Sequence, residues 1–269
     1  MVDQFRNKLN KIYRRIPQKN KLYIEPRIAP SKIEAIIPFF GGVSIDQFHG
    51  GNLGPGHTDI RLRYLSRTID SVTFVNNVYV FVRSDEDQDA VMKLNKKIIL
   101  IKVTSIPLYL PATALEYIQK NHHNGVQYYY YTESDQVVHF KNLSWLLSVC
   151  DDNNYVAPHR WEEIRDGKIY DPIMRFKDKN FFVNNISPFH EWGKPPLYEQ
   201  VGEFVKCNDA GKAYAGAYLC SSSLLLKIKF SRSGYLPLEH SSGFDIFNIA
   251  RALKTFSFDD FFVEHLWFR

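Results

Sequence analysis

The sequence predicts an α/β protein: a mostly parallel central sheet with helices on both faces. Three observations carry this. Four runs, at residues 33–40, 78–82, 98–103 and 126–140, are rich in Ile, Val, Phe and Tyr and are apolar without strict alternation. Strands buried on both faces read this way. Between the runs lie segments with helical spacing, giving strand, helix, strand, short helix, strand, helix, strand. Acid-rich clusters follow two of the strands, Arg83-Ser84-Asp85-Glu86-Asp87 and Glu133-Ser134-Asp135. In open α/β sheets that edge is where ligands bind.

In chain order, residues 1–30 are basic. Phe5, Leu9, Ile12 and Ile16 fall at helical spacing, with Arg6, Lys8, Lys11, Arg14 and Arg15 on the other faces, and Pro17 ends the pattern. Such an amphipathic helix can rest on an acidic membrane surface, on a partner or on its own domain. Pro26 and Pro30 make an extended linker. The first core strand runs from Ile33 into Phe39-Phe40-Gly41-Gly42. Gly54-Pro55-Gly56-His57 lies in a glycine-rich loop that matches neither the Walker pattern nor the dinucleotide fingerprint.

Thr58 or Asp59 caps a helix reaching about Val72, with Ile60, Tyr64, Leu65 and Ile69 on its apolar face. Strand 78–82 follows, then a short helix over 88–96, then strand 98–103. Pro111 opens the next helix, and Asn124-Gly125 turns the chain into the tyrosine run. Beyond residue 150 the pattern loosens. Residues 151–200 predict no convincing helix, and their aromatic content argues against disorder. Ala213-Tyr214-Ala215-Gly216-Ala217-Tyr218 alternates small and large residues, as where backbone approaches something closely. A strand is expected over 224–230, a helix from about Asp245 to Leu253, and a last helix after Ser257 carrying Phe261, Phe262, His265 and Leu266.

Composition narrows the function classes. The apolar share of 45% suffices for a full core. A net charge of +5 is only mildly basic, and no arginine-rich groove is evident, so nucleic acid is not expected as a partner. Cys150, Cys207 and Cys220 are widely spaced and show neither zinc nor disulfide patterning, which predicts a reducing compartment. No apolar run approaches the roughly 18 residues of a membrane span, and no signal peptide is visible. A soluble, cytoplasmic protein is expected.

The chemistry concentrates in residues 126–140. Tyr128-Tyr129-Tyr130-Tyr131 favours extended backbone and leads into Glu133-Ser134-Asp135. Residues two apart on an extended chain point the same way, so Glu133 and Asp135 can converge on one point. Two carboxylates so placed begin a site for a hard divalent cation such as Mg²⁺ or Mn²⁺. A solvated turn has the same composition.

Taken together, the first strand, Glu133-Ser134-Asp135 as a variant Asp-x-Asp motif after a fourth strand, the small-residue strand around Gly216-Ala217 and the acid-containing stretch from Glu239 to Asp245 resemble the GT-A glycosyltransferases. The run Tyr-Tyr-Thr-Glu-Ser-Asp-Gln is most similar to enzymes of algae and their large DNA viruses. The resemblance implies a single catalytic domain over 31–269 behind a basic arm at 1–30. Residues 31–140 would bind a nucleotide-diphosphate sugar, typically a UDP-sugar, and 141–269 a glycan acceptor. It implies Mn²⁺ or Mg²⁺ held by Asp135 and Glu133, with Ser134 near the donor ribose and Phe39 and Asp85 flanking the base.

An inverting enzyme of this kind needs a general base for the acceptor hydroxyl, and Asp245 and Glu239 are the candidates. A retaining enzyme needs none, and His240 could then complete the metal shell. His159 and Arg160 are candidates for acceptor or phosphate binding. Two other classes stay open: a metal-dependent nuclease, since paired acids also cleave phosphodiesters, and a non-catalytic carbohydrate-binding protein, which would explain the aromatics.

Overall fold

The computed structural model describes residues 32–41, 57–105, 109–163, 169–170, 198–207, 216–230, 245–255 and 260–266. The expected basic helix in residues 1–16, the Gly54-Pro55-Gly56 loop, Glu239 and His240 lie outside them. The first strand, β1 (Ile33–Pro38), is buried throughout. It is followed by α1 (His57–Ser71), β2 (Asn77–Val82), α2 (Asp85–Met92), β3 (Ile99–Lys102), α3 (Leu110–Lys120) and β4 (Tyr128–Thr132). These elements match the order expected from the sequence. Helix α2 starts earlier than expected because the Ser84 hydroxyl accepts a hydrogen bond from the Asp87 amide. The three acids of its first turn also suit the positive end of the helix dipole.

The remaining elements are β5 (Gln136–Phe140), α4 (Leu143–Leu147), β6 (Asn154–Val156), β7 (His159–Glu163), β8 (Ile169–Tyr170), β9 (Tyr198–Val201), β10 (Phe204–Cys207), β11 (Ala217–Ser221), α5 (Ser222–Leu225), β12 (Arg251–Thr255) and β13 (Phe261–His265). Nine strands form one sheet in the order β3-β2-β1-β4-β11-β6-β12-β10-β9. The β3-β2-β1-β4 half is parallel. From β4 outward the sheet is mixed, with β11 antiparallel to β4 and β12 parallel to β6. A second sheet of four strands runs β5-β13-β7-β8.

Each central strand sends alternate side chains to two core layers, as the period of two requires. Ala35, Ile37, Val78, Val80 and Tyr130 pack in one layer with Leu65, Ile69 and Val72 of the α1 segment. Ile36, Tyr79, Phe81, Tyr129 and Tyr131 pack in the other with Leu110, Leu115 and Ile118 of α3. Helices therefore cover both faces. The tyrosine run is at the middle of this arrangement, and Tyr129, Tyr130 and Tyr131 are each at most 1% exposed.

The fourth strand ends just before Glu133-Ser134-Asp135 as expected; the chain turns there and leaves the large sheet for β5 of the small one. Three expectations are corrected. No strand forms over 224–230: helix α5, capped by the Ser221 hydroxyl accepting from the Leu224 amide, takes 222–225, and 226–230 are turn and irregular backbone. The helix expected to reach Leu253 is helical only at 245–247 among the described residues, and Leu253 lies in β12, paired with Val156. The last expected helix is strand β13, in which Phe261 and Val263 are buried while Phe262 and Glu264 are half-buried. Residues 151–200, read as irregular, hold β6, β7, β8 and part of β9; β6 and β8 are too short to show a period, and His159–Glu163 is polar at all but one position. Among the described residues no helix is long and apolar enough to cross a membrane.

Candidate metal centre

Strand β4 delivers its acids at the carboxyl edge of the parallel strands. The turn after it is pinned from three sides. The Glu133 amide donates to the Gly216 carbonyl at 2.9 Å, just ahead of β11. The Thr68 hydroxyl of α1 accepts from the Gln136 amide at 3.1 Å and lies 3.0 Å from the Ser134 carbonyl. The Leu266 amide donates to the Asp135 carbonyl at 2.8 Å. Backbone held at this many points fixes where the side chains of 133 and 135 project.

Strand β13 brings the third member. Its antiparallel register on β5 sets His265 opposite Gln136, next to the acidic turn. Glu133, Asp135 and His265 each offer a ligand atom, and these atoms lie within 4.8 Å of one another. His265 Nε2 is 3.5 Å from Asp135 Oδ2. On the other side of the ring, Arg160 Nη2 of β7 lies 2.9 Å from His265 Nδ1. A guanidinium only donates, so Nδ1 accepts and the ring proton of the neutral imidazole sits on Nε2. Gln136 Nε2 donates to Glu133 Oε2, and its own Oε1 accepts from Thr132 Oγ1 at 3.1 Å.

The electrostatics match this geometry. Burial pushes the Asp135 carboxyl upward, but His265, by charge and hydrogen bond, and then Arg160 and Arg61 hold it below the ordinary aspartate value. Asp135 Oδ1 is buried and has no hydrogen-bond partner. A carboxylate oxygen left so is costly unless something binds it. Two carboxylates and one imidazole form a donor set that Mn²⁺ and related divalent ions accept. The residues present therefore fit a divalent cation, with Asp135, Glu133 and His265 as the ligands. A metal-bound histidine gives its other ring N–H to an acceptor, and Arg160 is a donor, so Nε2 becomes a ligand only when its proton moves to Nδ1 and Arg160 releases that nitrogen.

A second acid is buried nearby. Asp87 of α2 is 4% exposed, and its Oδ1 accepts from the Gly41 amide at 3.0 Å just past β1. Burial raises its pKa, against the pull of the Gly41 hydrogen bond and of Arg83 and Arg61. Arg61 of α1 donates to the Phe40 carbonyl at 3.0 Å and adds positive charge between Asp87 and Asp135.

The other sequence candidates fall elsewhere. Phe39 is fully buried in the core, so it presents no face to a base. Asp85 is exposed and pairs with Lys102 at 2.6 Å. Ser134 sits in the acidic turn as expected. His159 is 3% exposed, and its Nε2 lies 2.8 Å from the Thr255 carbonyl, where it ties the small sheet to the large one. That commitment removes it from the surface where an acceptor would dock. Arg160 joins the metal cluster instead. Asp245 is 4% exposed and close enough to Tyr218 for its charge to contribute to raising that phenol's pKa, after burial and neighbouring groups. It is not part of the Glu133–Asp135–His265 cluster.

Sequence reasoning missed His265 and paired the acids with His240. The missed signal is the alternation Phe261, Val263, His265, which marks a strand, against the helical reading of the same residues.

No family model matches the sequence, and no curated protein matches it. Among solved structures the chain is similar to a 4-diphosphocytidyl-2C-methyl-D-erythritol synthase from Anaerococcus prevotii, at 10% identity over 86% of this chain and 91% of that one, with a TM-score of 0.41. It is similar to a mannose-1-phosphate geranyltransferase from Thermus thermophilus, at 11% identity over 84% of this chain and 73% of that one, with a TM-score of 0.45. It is also similar to the inositol-1-phosphate CTP transferase of T. maritima, at 13% identity over 88% of this chain and 89% of that one, with a TM-score of 0.45.

Proposed function

We propose that the chain is a metal-dependent glycosyltransferase that moves a sugar from a nucleotide-diphosphate sugar, a UDP-sugar by preference, to a glycan hydroxyl. The observation that supports this most is the convergence of Glu133, Asp135 and His265 at the carboxyl edge of the sheet, with two arginines beside them. The resemblance of Glu133-Ser134-Asp135 to the Asp-x-Asp motif supports it from the sequence side.

Asp135, Glu133 and His265 are the proposed metal ligands, with Mn²⁺ or Mg²⁺ as the ion. When bound, the ion neutralises charge on the departing nucleoside diphosphate as a Lewis acid. The chain's own residues do the rest. His265 Nε2 faces the ligand side and would bind the ion once its proton has moved to Nδ1 and Arg160 has released that nitrogen. Arg61 and Arg160 add positive charge where diphosphate oxygens would lie. Ser134, in the same turn, is placed to meet the donor ribose. Asp245 is the proposed base that takes the acceptor proton, with Glu239 as the other candidate. The division into a donor half at 31–140 and an acceptor half at 141–269 is proposed with one amendment: His265 and Arg160 serve the donor side.

The test is release of UDP from a panel of UDP-hexoses and UDP-pentoses with Mn²⁺, with and without chelator. Metal-dependent release is expected, and Asp135→Ala should lower it by on the order of a hundredfold or more while the folded state persists. A folded Asp135→Ala protein with normal rates overturns the site. Pyrophosphate released from CTP or GTP in the presence of a sugar phosphate would make the reaction nucleotidyl transfer. Cleavage of DNA would make the protein a nuclease, and sugar binding without turnover a binding module.

A further inference from the structure

At the edge of the sheet opposite the acidic turn, where the parallel strands begin, lies a cavity of about 290 Å³. Ligand pockets run from roughly 300 to 1,000 Å³, so this one suits a small molecule. Glu34 of β1 lines it. It is the one charged residue of an otherwise apolar strand and is only 5% exposed. Its Oε1 accepts from Asn77 Nδ2 at 3.1 Å and from the Tyr79 hydroxyl at 3.4 Å. Both donors are neutral, and Glu34 forms no ion pair among the described residues. A buried carboxylate is costly unless a cation offsets it.

The walls define which cation. Tyr79, Tyr117 and Tyr129 line the same cavity, with the apolar side chain of Ile99 and, at the rim, the exposed His123. The rings are held in place: Tyr117 packs edge-on to Phe81 at 5.5 Å, and the Tyr129 hydroxyl lies 2.7 Å from His122 Nδ1. Burial and then the charge of Glu34 raise the pKa of the Tyr79 phenol, and the second of these causes is the one that favours a positive guest. A hard metal ion needs six or more oxygens, and this cavity offers one carboxylate. Aromatic rings around one carboxylate match an alkylammonium group, whose charge spreads over carbon-bound hydrogens.

We propose that this cavity binds a small organic cation of the alkylammonium class, with Glu34 as its countercharge and the three tyrosines as its walls. The site is independent of the metal cluster and of any transfer activity.

The probe is choline, titrated into the full chain by NMR or calorimetry. Saturable binding is expected. The uncharged isostere of choline, in which carbon replaces nitrogen, should bind at least tenfold more weakly. Glu34→Gln keeps the hydrogen-bond acceptor and should erase that preference while the protein stays folded. The proposal is overturned if choline does not saturate the wild-type protein at tens of millimolar. Equal binding of choline and its isostere to the wild type overturns it as well, and this comparison needs no variant to fold. So does undiminished choline binding by a folded Glu34→Gln protein.

Discussion

Asp135 is pulled two ways. Burial favours its neutral form, while His265, Arg160 and Arg61 favour the carboxylate and prevail. A carboxyl whose folded pKa lies below its unfolded value, about 3.9, contributes stability above that value and loses it as the pH falls through the folded pKa. Asp135→Asn should therefore be less stable than wild type at pH 7. The difference should fade as unfolding is followed from pH 5 downward into the range where the native carboxyl protonates. A difference that stayed constant over that span would mean that charge is not what holds the turn. Asp87 has the opposite sign. Its folded pKa is raised, so its ionised form is a burden at neutral pH that disappears in acid.

Gly41 shows how closely the elements meet around these acids. Its amide bonds Asp87 Oδ1, and a methyl group added at its Cα would come within 2.3 Å of that same oxygen. Gly41→Ala should cost about 1–3 kcal/mol in urea unfolding, because the buried Asp87 carboxylate must move off the Gly41 amide to admit it. Combined with Asp87→Ala the penalty should shrink, which a double-mutant cycle measures directly. The elements around this contact were legible in the sequence. Long runs such as 78–82 and a capped helix such as α1 carry enough residues to show a period. Glu133 and Asp135 were legible for a local reason too, as an acid pair directly after an apolar run, although they lie in the turn between β4 and β5 and not on a strand. Their partners were not. Phe261, Phe262, His265 and Leu266 satisfy helical spacing as well as Phe261, Val263 and His265 satisfy strand spacing, and only pairing with β5 and β7 decides between them. Arg160 and His265 meet through the parallel register of β7 on β13, which no local pattern records.

At the scale of the molecule, the two core layers have different jobs. Phe261 and Val263 belong to the layer beneath α1 and are carried by the strand that supplies His265. Leu115 belongs to the opposite layer. Phe261→Ala should cost roughly 3–5 kcal/mol and Leu115→Ala roughly 2–5 kcal/mol of stability. The two should part company in metal affinity. Mn²⁺ binding by the folded protein, followed by calorimetry, should weaken in Phe261→Ala and hold steady in Leu115→Ala. Equal loss in both would mean that the ligand cluster depends on overall stability and not on the seating of β13.

The split of the donor set along the chain sets an order of events. Two of the proposed ligands come from positions 133 and 135 and the third from 265, so the distance in sequence between them spans nearly half the protein. On the ribosome, the two acids emerge long before the imidazole has been synthesised. Until β13 slots between β5 and β7, an ion passing the nascent chain meets only a pair of carboxylates on an exposed turn, and leaves again. On the proposed metal-binding reading, tight capture would be reserved for a finished fold, and a chain stalled midway through synthesis would sequester no metal.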